Sequence, residues 1–548
     1  MSLNEQAIRQ ASASHPRPHN TTFAYGTAGF RANADTLDST MFRVGILAAL
    51  RSKKLAGQTI GVMVTASHNP EQDNGVKLVD PHGEMLHSSW EQYATLLANA
   101  VSDDSLVATV RQVIQATGVD LAVKAKVVFG HDTRPSCRSL VRAVVDGLAA
   151  LDTDQVNAGL VTTPQLHYLV RCLNTEGTPE AYGEPSVDGY YRKLANAYST
   201  LATGRHLLPA LTVDCANGVG APKLKEFLKV VGNDLLPIIA VRDNTTQAGH
   251  LNFDCGADYV KTQQRAPRNV ELVPWQRYAS FDGDADRIVF YYADADGVFH
   301  LLDGDKIAGL VAGFIMDLVK DAGLDDKVKV GVVQTAYANG ASTKYLTGVL
   351  GVPVTCVPTG VKHLHHAAES YDVGVYFEAN GHGTVLFSPS TLSTIASHTP
   401  SSPSASAALA NLRALVDLIN QTVGDAISDM LLVETILLHR QWSPAEWDRA
   451  YSDYPNRLVK VLVADRTQFV TSDAERRLDK PEGVQDAIDE VVKKVDGGRS
   501  FVRPSGTEDC VRVYAEAATR DAADELANTV ARIVHDKFGK GPQPASFF

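Results

Sequence analysis

Three aspartates, Asp282, Asp284 and Asp286, alternate with small residues in the stretch SFDGDADRIVFYY. Carboxylates this close repel one another unless a cation lies between them, and an all-oxygen ligand set suits Mg²⁺ or Ca²⁺. An EF-hand is excluded, because its sixth and twelfth positions require Gly and Glu and here are Arg287 and Ala293. Three protein ligands leave coordination positions of Mg²⁺ open for a phosphate. The alternative is a solvated acidic turn, which Arg287 and the apolar flanks disfavour.

A serine lies at the end of the apolar strand IGVMV, in the stretch VTASHNPEQDNGVKL. Ser67 is followed by His68 and by Pro70, which ends strand pairing. Lys77 lies ten positions after Ser67. Loops after strands are where α/β proteins place reacting groups, so Ser67 is a candidate carrier of a phosphoryl group. The stretch does not match the G-x-S-x-G motif of esterases. An ordinary strand-to-loop turn fits this stretch equally well when it is taken alone.

A third stretch, VYFEANGHGTVLF, alternates Glu378, Asn380 and His382 with small residues. If the segment is extended, all three side chains point the same way. Carboxylate, amide and imidazole groups can hydrogen-bond to sugar hydroxyls, and the glycines let a ligand approach the backbone closely. A Gly-rich turn that binds nothing is the alternative.

A fourth stretch, FVRPSGTEDCVRVY, has the groups that bind phosphate. Guanidinium groups bind phosphate with paired hydrogen bonds, hydroxyls donate, and glycine frees backbone N–H groups. The candidate residues are Arg503, Ser505, Gly506, Thr507 and Arg512. The stretch lacks the G-x-x-x-x-G-K-[ST] pattern of a Walker P-loop. A polar turn between two strands is the alternative.

Composition indicates a cytoplasmic, multidomain globular protein. The 548 residues exceed what one core holds, and 44% are hydrophobic and 21% charged. No apolar run is long enough to span a membrane, and the N-terminus lacks the apolar region of a signal peptide. A net charge of -12 without a basic block makes nucleic acid an improbable partner. Six scattered cysteines without a C-x-x-C motif suggest reduced thiols.

One unit recurs three times along the chain: a short β-branched strand, a Gly/Asn/Asp loop and an amphipathic helix. The copies are AKVVFGHDTRPSCRSLVRAVVDGLAAL, ALTVDCANGVGAPKLKEFLKVVG and VKVGVVQTAYANGASTKYLTGVLG. Such units imply parallel or mixed sheets with helices on their faces. The repetition predicts three related α/β domains in series.

The last part of the chain has a different pattern. Strand and helix patterns alternate from NRLVKVLVA to the final helix, DAADELANTVARIVHDKF, whose acidic first turn and Lys537 match the helix dipole. We therefore expect a compact C-terminal α+β domain. Before it, residues 388–407 are rich in Ser, Pro and Thr and lack periodicity, which predicts an exposed, mobile loop.

Taken in this order, the four stretches resemble the α-D-phosphohexomutase superfamily over nearly the whole chain. That family has four domains, each lending one loop to a central cleft. The corresponding boundaries here are 1–185 for the phosphoserine loop, 186–300 for the metal loop, 301–440 for the sugar loop and 441–548 for the phosphate loop. The Ser-rich insertion 388–407 in the third domain departs from the family pattern and is expected to lie away from the cleft.

Within the superfamily, the sequence is most similar to the branch that acts on N-acetylglucosamine phosphates. Glucose and mannose mutases usually have Ser where this chain has Asn380, and PTGVKHLHH resembles the third-domain loop of that branch. Membership of this branch would imply a role in UDP-N-acetylglucosamine biosynthesis.

The resemblance also implies a role for each candidate residue. Ser67 would be phosphorylated in the resting enzyme and would contribute an oxygen to one Mg²⁺ ion, whose protein ligands are Asp282, Asp284 and Asp286. Arg31, in GTAGFR, would lie near the transferred group. Lys77 would be the general base, with His68 as the competing candidate. The remaining residues would bind the substrate. Its sugar would be bound by Glu378, Asn380 and His382. Its non-reacting phosphate would be bound by Arg503, Ser505, Gly506, Thr507 and Arg512.

The implied activity is that of an isomerase, an intramolecular phosphotransferase. It would interconvert N-acetylglucosamine 6-phosphate and N-acetylglucosamine 1-phosphate, with a hexose 1,6-bisphosphate as the intermediate that primes the enzyme. Three alternatives remain: a phosphoglucomutase or phosphomannomutase, a hydrolase that releases phosphate, and a catalytically silent sugar-phosphate sensor. We expect a monomer or homodimer that associates with neither nucleic acid nor membrane.

Overall fold

Strands and helices alternate along most of the chain, and they assemble into two compact units. The computed structural model describes residues 3–26, 29–505 and 509–545. One unit comprises Met1–Asp303, Asn380–Thr384 and Ala410–Pro444, and the other comprises Gly304–Ala379, Val385–Leu409 and Ala445–Phe548. Among the described residues, no helix is both long and apolar enough to cross a bilayer.

A five-stranded sheet begins the first unit. Its elements and their neighbours are α1 (Glu5–Ser12), β1 (Phe30–Asn33), α2 (Asp38–Lys54), β2 (Thr59–Val64), β3 (Asp73–Val79), α3 (Ser88–Ala98), α4 (Asp103–Thr117), β4 (Lys126–His131), α5 (Cys137–Ala149), β5 (Asp154–Leu160), α6 (Thr163–Thr175) and α7 (Val187–Ala202). The strand order is β1-β3-β2-β4-β5, and β3 runs antiparallel to both of its neighbours.

Both faces of this sheet are covered, which explains why β2 is buried along its whole length. Ile60, Val62 and Val64 belong to the large core formed with α2 and α5. Met63 belongs to a second core on the opposite face, with Leu166 of α6. The alternation along β2 follows from the two-residue period of a strand.

A second five-stranded sheet follows in the first unit. Its elements are β6 (Leu211–Asp214), α8 (Gly220–Val231), β7 (Ile238–Val241), α9 (Ala257–Gln263), β8 (Tyr278–Phe281), β9 (Ile288–Ala293) and β10 (Phe299–Leu302). The order is β10-β9-β8-β6-β7, with β6 parallel to β7 and β8. Because β9 pairs antiparallel with β10, the DADG segment at 294–297 forms a hairpin turn between them.

The next segment builds a four-stranded sheet in the order β12-β11-β13-β14, in which β11 is parallel to β12 and β13. The elements are α10 (Gly304–Asp321), β11 (Val330–Thr335), α11 (Gly340–Lys344), β12 (Val354–Val357), α12 (Val361–Ala368), β13 (Val373–Phe377), β14 (Gly383–Phe387), α13 (Pro389–Ser397), α14 (Pro403–Leu418), α15 (Ala426–Arg440) and α16 (Pro444–Asp448). A π-helical turn, Tyr345–Val349, follows α11.

The C-terminal region is the predicted α+β domain. Its elements are β15 (Asn456–Leu462), β16 (Val470–Ser472), β17 (Arg477–Lys480), α17 (Val484–Val492), β18 (Arg499–Pro504), β19 (Cys510–Glu516) and α18 (Arg520–Phe538). The antiparallel sheet has the order β15-β19-β18, and β16 and β17 form a separate hairpin.

The three predicted strand-loop-helix copies are confirmed as β4 with α5, β6 with α8, and β11 with α11. The prediction of a mobile loop over 388–407 is wrong, because most of this segment lies in α13 and α14. The Ser388 side chain accepts a hydrogen bond from the backbone N–H of Thr391, and Pro389 occupies the first turn of α13. Ser and Pro at these positions start a helix, although composition alone associates them with loops.

Substitution of Gly147 tests the packing of α5 on α2. A Cβ at this position would collide with the carbonyl oxygen of Phe42 in α2. We expect Gly147→Ala to destabilise the fold by roughly 1–3 kcal/mol, as overpacked sites do. The measurement is the thermal unfolding midpoint, with Gly348→Ala as the control because a Cβ there meets no atom within 4 Å. An unchanged midpoint for Gly147→Ala would show that the two helices can separate freely.

Candidate active site

The first sheet places three candidate residues on neighbouring strands. Ser67 lies in the connection between β2 and β3, and Lys77 lies on β3, where it is paired with Met63 of β2. Arg31 lies on β1, opposite Gly75 of β3. Antiparallel pairing of β3 with both neighbours therefore brings serine, amine and guanidinium to the same part of the sheet.

The backbone of Ser67 adopts a left-handed conformation with φ of 52°, and its side chain is fully buried. Such a conformation is unfavourable for a residue with a Cβ and persists only where surrounding contacts fix it. The Ser67 N–H donates to Thr65 Oγ1 at 3.0 Å, and Asn252 Nδ2 donates to the Ser67 carbonyl at 2.8 Å.

Arg134 is the central support of the serine loop. Its guanidinium donates to the backbone carbonyls of four loop residues, at distances of 2.5 to 2.9 Å: Ser67, Asn69, Pro70 and Asp73. Asp132 balances its charge, with 3.1 Å between Arg134 Nε and Asp132 Oδ2, and both side chains are 0% exposed. Five donors in a fixed planar group suit this role, which lysine cannot reproduce.

The acidic triplet lies in the hairpin connection between β8 and β9. Asp282 Oδ1 accepts hydrogen bonds from the N–H groups of Asp286 and Arg287, which closes the loop. One oxygen from each of the three carboxylates lies within 4.8 Å of the others, and all three residues are buried. The hydroxyl of Ser67 donates to Asp282 Oδ2 at 2.7 Å. The serine loop and the acidic loop therefore meet directly.

The two loops approach each other at backbone level. A Cβ at Gly283 would lie 2.5 Å from the carbonyl oxygen of Ser67, a distance that packed atoms do not adopt. Only glycine fits between Asp282 and Asp284 at this separation, which gives the Gly of the DGDAD pattern a definite structural role.

The charged groups around the triplet shift one another's pKa values. Burial and then the neighbouring carboxylates of Asp286 and Asp284 raise the pKa of Asp282 well above its usual range. Burial opposes ionisation of Asp284 and Asp286 as well, but Lys77 Nζ lies 3.2 and 3.0 Å from their carboxylates and helps to lower both pKa values. Burial likewise opposes the charge on Lys77, yet these two aspartates raise the pKa of Lys77 overall. The charged form of Lys77 is therefore favoured in this arrangement, whereas a general base must be neutral.

The donor set fits a hard divalent cation. Within the described part of the chain, Asp284 Oδ1 and Asp286 Oδ1 are buried without accepting a hydrogen bond. A buried carboxylate oxygen with no donor is unfavourable, and a cation bound among these oxygens would satisfy it. Asp282, Asp284 and Asp286 could therefore hold Mg²⁺ beside the Ser67 hydroxyl.

Two arginines and one histidine lie around this site: Arg31, Arg287 and His68. Arg31 Nη1 donates to Asn69 Oδ1 at 3.4 Å, and burial followed by the charge of Arg287 lowers the pKa of Arg31. Burial and then Arg287 and Arg31 lower the pKa of His68 to about 2. His68 is therefore neutral at physiological pH.

The sugar-loop candidates lie in a turn between β13 and β14, so the segment is not extended. His382 Nδ1 lies 3.4 Å from Asp286 Oδ1, and the His382 N–H donates to Asn380 Oδ1 at 3.0 Å. The loop is joined to the acidic hairpin by the Ile288 N–H, which donates to the Gly381 carbonyl at 3.1 Å. Glu378 is half-buried at the end of β13, in the second unit.

The phosphate-loop candidates belong to the second unit. Arg503 of β18 is paired with Arg512 of β19, so the two guanidinium groups start from directly opposed positions. The Ser505 N–H donates to the Cys510 carbonyl at 2.9 Å. The other two candidates, Gly506 and Thr507, lie outside the described residues.

Several residues of the site carry no motif in the sequence. Thr163, at the start of α6, donates its hydroxyl to Asp284 Oδ2 at 2.6 Å, and its N–H donates to the Asp284 carbonyl. The N–H of Ala426 donates to the Ala285 carbonyl at 3.0 Å. Arg134 has the clearest local signal, since GHDTRPS follows a strand as TASHNP does.

Asp284→Asn tests the metal assignment. Removal of one charged ligand should weaken Mg²⁺ binding roughly tenfold or more, measured by calorimetry on the purified protein. The control is Asp296→Asn, in the exposed DADG turn, which should bind Mg²⁺ as the wild type does. Equal Mg²⁺ affinity in Asp284→Asn would remove Asp284 from the ligand set.

Arg134→Lys tests the support of the serine loop. Lysine keeps the charge beside Asp132 but cannot donate to four carbonyls at once. We expect hydrogen exchange of the backbone amides of residues 65–73 to become at least about tenfold faster, because their opening free energy falls. Arg142→Lys on α5 is the matched control. Unchanged exchange in 65–73 would show that Arg134 is dispensable for this loop.

Family models match successive parts of the chain. They are Phosphoglucomutase/phosphomannomutase, alpha/beta/alpha domain I, at 27–102 and 97–178; Phosphoacetylglucosamine mutase AMG1, domain II, at 186–289; Phosphoacetylglucosamine mutase AMG1, domain III, at 303–442; and Phosphoglucomutase/phosphomannomutase, C-terminal domain, at 458–533. The fold is thus the four-domain α/β architecture of the phosphohexomutases.

Individual relatives agree over the full length. Phosphoacetylglucosamine mutase of Candida albicans is 50% identical over 544 residues, covering 97% of this chain and 99% of its own. N-acetylphosphoglucosamine mutase of Aspergillus fumigatus, solved with GlcNAc-6P and magnesium, is 53% identical with a TM-score of 0.94, covering 98% of this chain and 99% of its own. A serine-to-alanine variant of this Aspergillus enzyme, solved with glucose 1,6-bisphosphate, is 52% identical with a TM-score of 0.94, covering 98% of this chain and 100% of its own. On this identity and coverage, the chain belongs to the phosphoacetylglucosamine mutase family of the α-D-phosphohexomutase superfamily.

Proposed function

We propose that this protein interconverts N-acetylglucosamine 6-phosphate and N-acetylglucosamine 1-phosphate through a phosphorylated Ser67. The observation that carries the proposal is the 2.7 Å hydrogen bond from the Ser67 hydroxyl to Asp282, within a buried acidic triplet suited to Mg²⁺. The Aspergillus relative bound to GlcNAc-6P and magnesium supports both the substrate and the metal.

In the proposed reaction, the phosphoryl group of phospho-Ser67 passes to O1 of the 6-phosphate. The P–O bond to Ser67 breaks as the bond to O1 forms, which leaves the Ser67 oxygen and a 1,6-bisphosphate. The bisphosphate then rotates so that its other end faces Ser67. Its 6-phosphoryl group passes to Ser67, and the 1-phosphate leaves. The Aspergillus complex with glucose 1,6-bisphosphate supports an intermediate of this class.

Residues around Ser67 would stabilise the charge of the transferring group. Lys77 is held charged by Asp284 and Asp286, and Arg31 lies on the adjacent part of the sheet. When bound by Asp282, Asp284 and Asp286, Mg²⁺ would supply further positive charge beside the phosphoserine oxygen. Phosphoryl transfer depends mainly on such positioning and charge neutralisation.

A base must accept the proton of the attacking sugar hydroxyl, and both candidates remain in the proposal. Lys77 could act only after its proton is lost, which Asp284 and Asp286 oppose in the present arrangement. His68 is already neutral, and its Nδ1 is buried without a hydrogen-bond partner among the residues that the structure describes. The burial and the positive charges that keep His68 neutral also oppose its taking up a proton, so both residues stay candidates for the base.

Sugar and distal phosphate would be bound by the remaining candidates. We propose that Glu378, Asn380 and His382 bind the sugar hydroxyls. Arg503, Ser505, Gly506, Thr507 and Arg512 would hold whichever phosphate is not reacting. Since arginine recognises phosphate rather than the sugar, Arg503 and Arg512 can bind either end of the bisphosphate.

The domain boundaries near residues 185, 300 and 440, the cytoplasmic location and the single Mg²⁺ ion are part of the same proposal. About 50% identity to named phosphoacetylglucosamine mutases disfavours a glucose or mannose phosphate as the main substrate. Comparison of kcat/KM for glucose, mannose and N-acetylglucosamine phosphates distinguishes these substrates.

Ser67→Ala tests the reaction class. We expect intact mass and peptide mapping of the wild-type enzyme to locate one phosphate on Ser67. The variant should lack this phosphate and lose roughly 10³-fold or more in kcat, as removal of a covalent nucleophile does. Ser139→Ala on α5, an exposed serine of the same domain, is the control. Wild-type turnover by Ser67→Ala would exclude the phosphoserine scheme.

A further inference from the structure

A carboxylate lies within the group of residues proposed to bind phosphate in the second unit. Glu475 Oε1 accepts a hydrogen bond from Arg503 Nη1 at 3.2 Å. Its other oxygen, Oε2, accepts from the backbone N–H of Thr359 at 3.0 Å and from the Thr359 hydroxyl at 2.5 Å. One acidic side chain therefore joins Arg503 to a loop that follows β12.

The three donors around Glu475 are those that bind phosphate in proteins: a guanidinium, a backbone N–H and a hydroxyl. The guanidinium is also fixed from another direction, because Arg503 Nε donates to Tyr337 Oη at 2.9 Å. The Tyr337 ring packs against Phe501 and Tyr514, with centroid distances of 5.2 and 5.9 Å. Arg503 therefore has an anchor that does not depend on Glu475.

The turn that carries Glu475 has a strained backbone. Asp473, Ala474 and Glu475 have φ values of 49, 54 and 67°, between strands β16 and β17. Left-handed conformations are unfavourable for residues with a Cβ, and three in succession require contacts that fix them. The hydrogen bonds that Glu475 accepts from Arg503 and Thr359 are such contacts. They therefore help to hold the turn in its strained backbone conformation.

We propose that Arg503 and Thr359 form one subsite for the phosphoryl group of the sugar phosphate, and that Glu475 occupies this subsite when no phosphate is present. The inference rests on the proposed function, which assigns Arg503 to phosphate. A phosphate that carries nearly two negative charges repels the Glu475 carboxylate, so phosphate binding displaces it. Its return to Arg503 assists release of the phosphate between the two transfer steps.

Glu475→Gln is the direct test, because glutamine keeps the size of the side chain and removes its charge. We expect the Kd for inorganic phosphate and for N-acetylglucosamine 6-phosphate to fall roughly three- to tenfold, measured by calorimetry on the full-length protein. Glu490→Gln is the matched control, since Glu490 is exposed and is paired with nearby Lys493. Its Kd values should equal those of the wild type.

Two further variants separate this inference from the proposed function. Thr359→Val removes one donor while keeping the β-branched shape, and should raise both Kd values severalfold. Arg503→Met should raise them more. If Arg503→Met weakens binding but Glu475→Gln does not tighten it, the Glu475 inference is wrong and the phosphate role of Arg503 stands. If Arg503→Met binds phosphate as the wild type does, the phosphate role of Arg503 is wrong.

Discussion

The charge balance of three buried carboxylates is the constraint on which this site depends. Asp282, Asp284 and Asp286 are 1%, 0% and 3% exposed, so water cannot stabilise their charges. Lys77 compensates part of that charge from the neighbouring sheet, and oxygens without a hydrogen-bond donor remain for a cation. The two sheets must therefore stay in contact for the acidic loop to be stable, and the same contact places Ser67 beside Asp282.

Positioning of Ser67 relies on backbone contacts more than on side-chain packing. Arg134 binds four carbonyls of the loop, Asn252 binds the Ser67 carbonyl, and Gly283 leaves room for that carbonyl. Together these contacts hold a serine in a conformation that it rarely adopts in isolation. If Ser67 carries the phosphoryl group as proposed, such a fixed backbone would help to position that group.

Local sequence patterns identified much of this arrangement. The DGDAD spacing predicted the acidic loop, and the strand before TASHNP predicted that Ser67 lies just after the end of a strand. Arg134 and Thr163 could not be predicted in the same way, because their partners are distant in the chain and are selected by the tertiary fold. Residues 388–407 were misjudged for a different reason: Ser and Pro serve both as loop residues and as the first residues of a helix, and composition does not distinguish these uses.

The discontinuity of the first unit has a consequence for biosynthesis. Its two five-stranded sheets are complete by Asp303, but Asn380–Thr384 and Ala410–Pro444 join it only later in the chain. A ribosome therefore releases the acidic hairpin before the Gly381 carbonyl and the Ala426 N–H, which bind Ile288 and Ala285, have been translated. Completion of this hairpin therefore requires segments that are translated later, so the unit that contains Ser67 and the acidic triplet is complete only after much of the second unit has emerged.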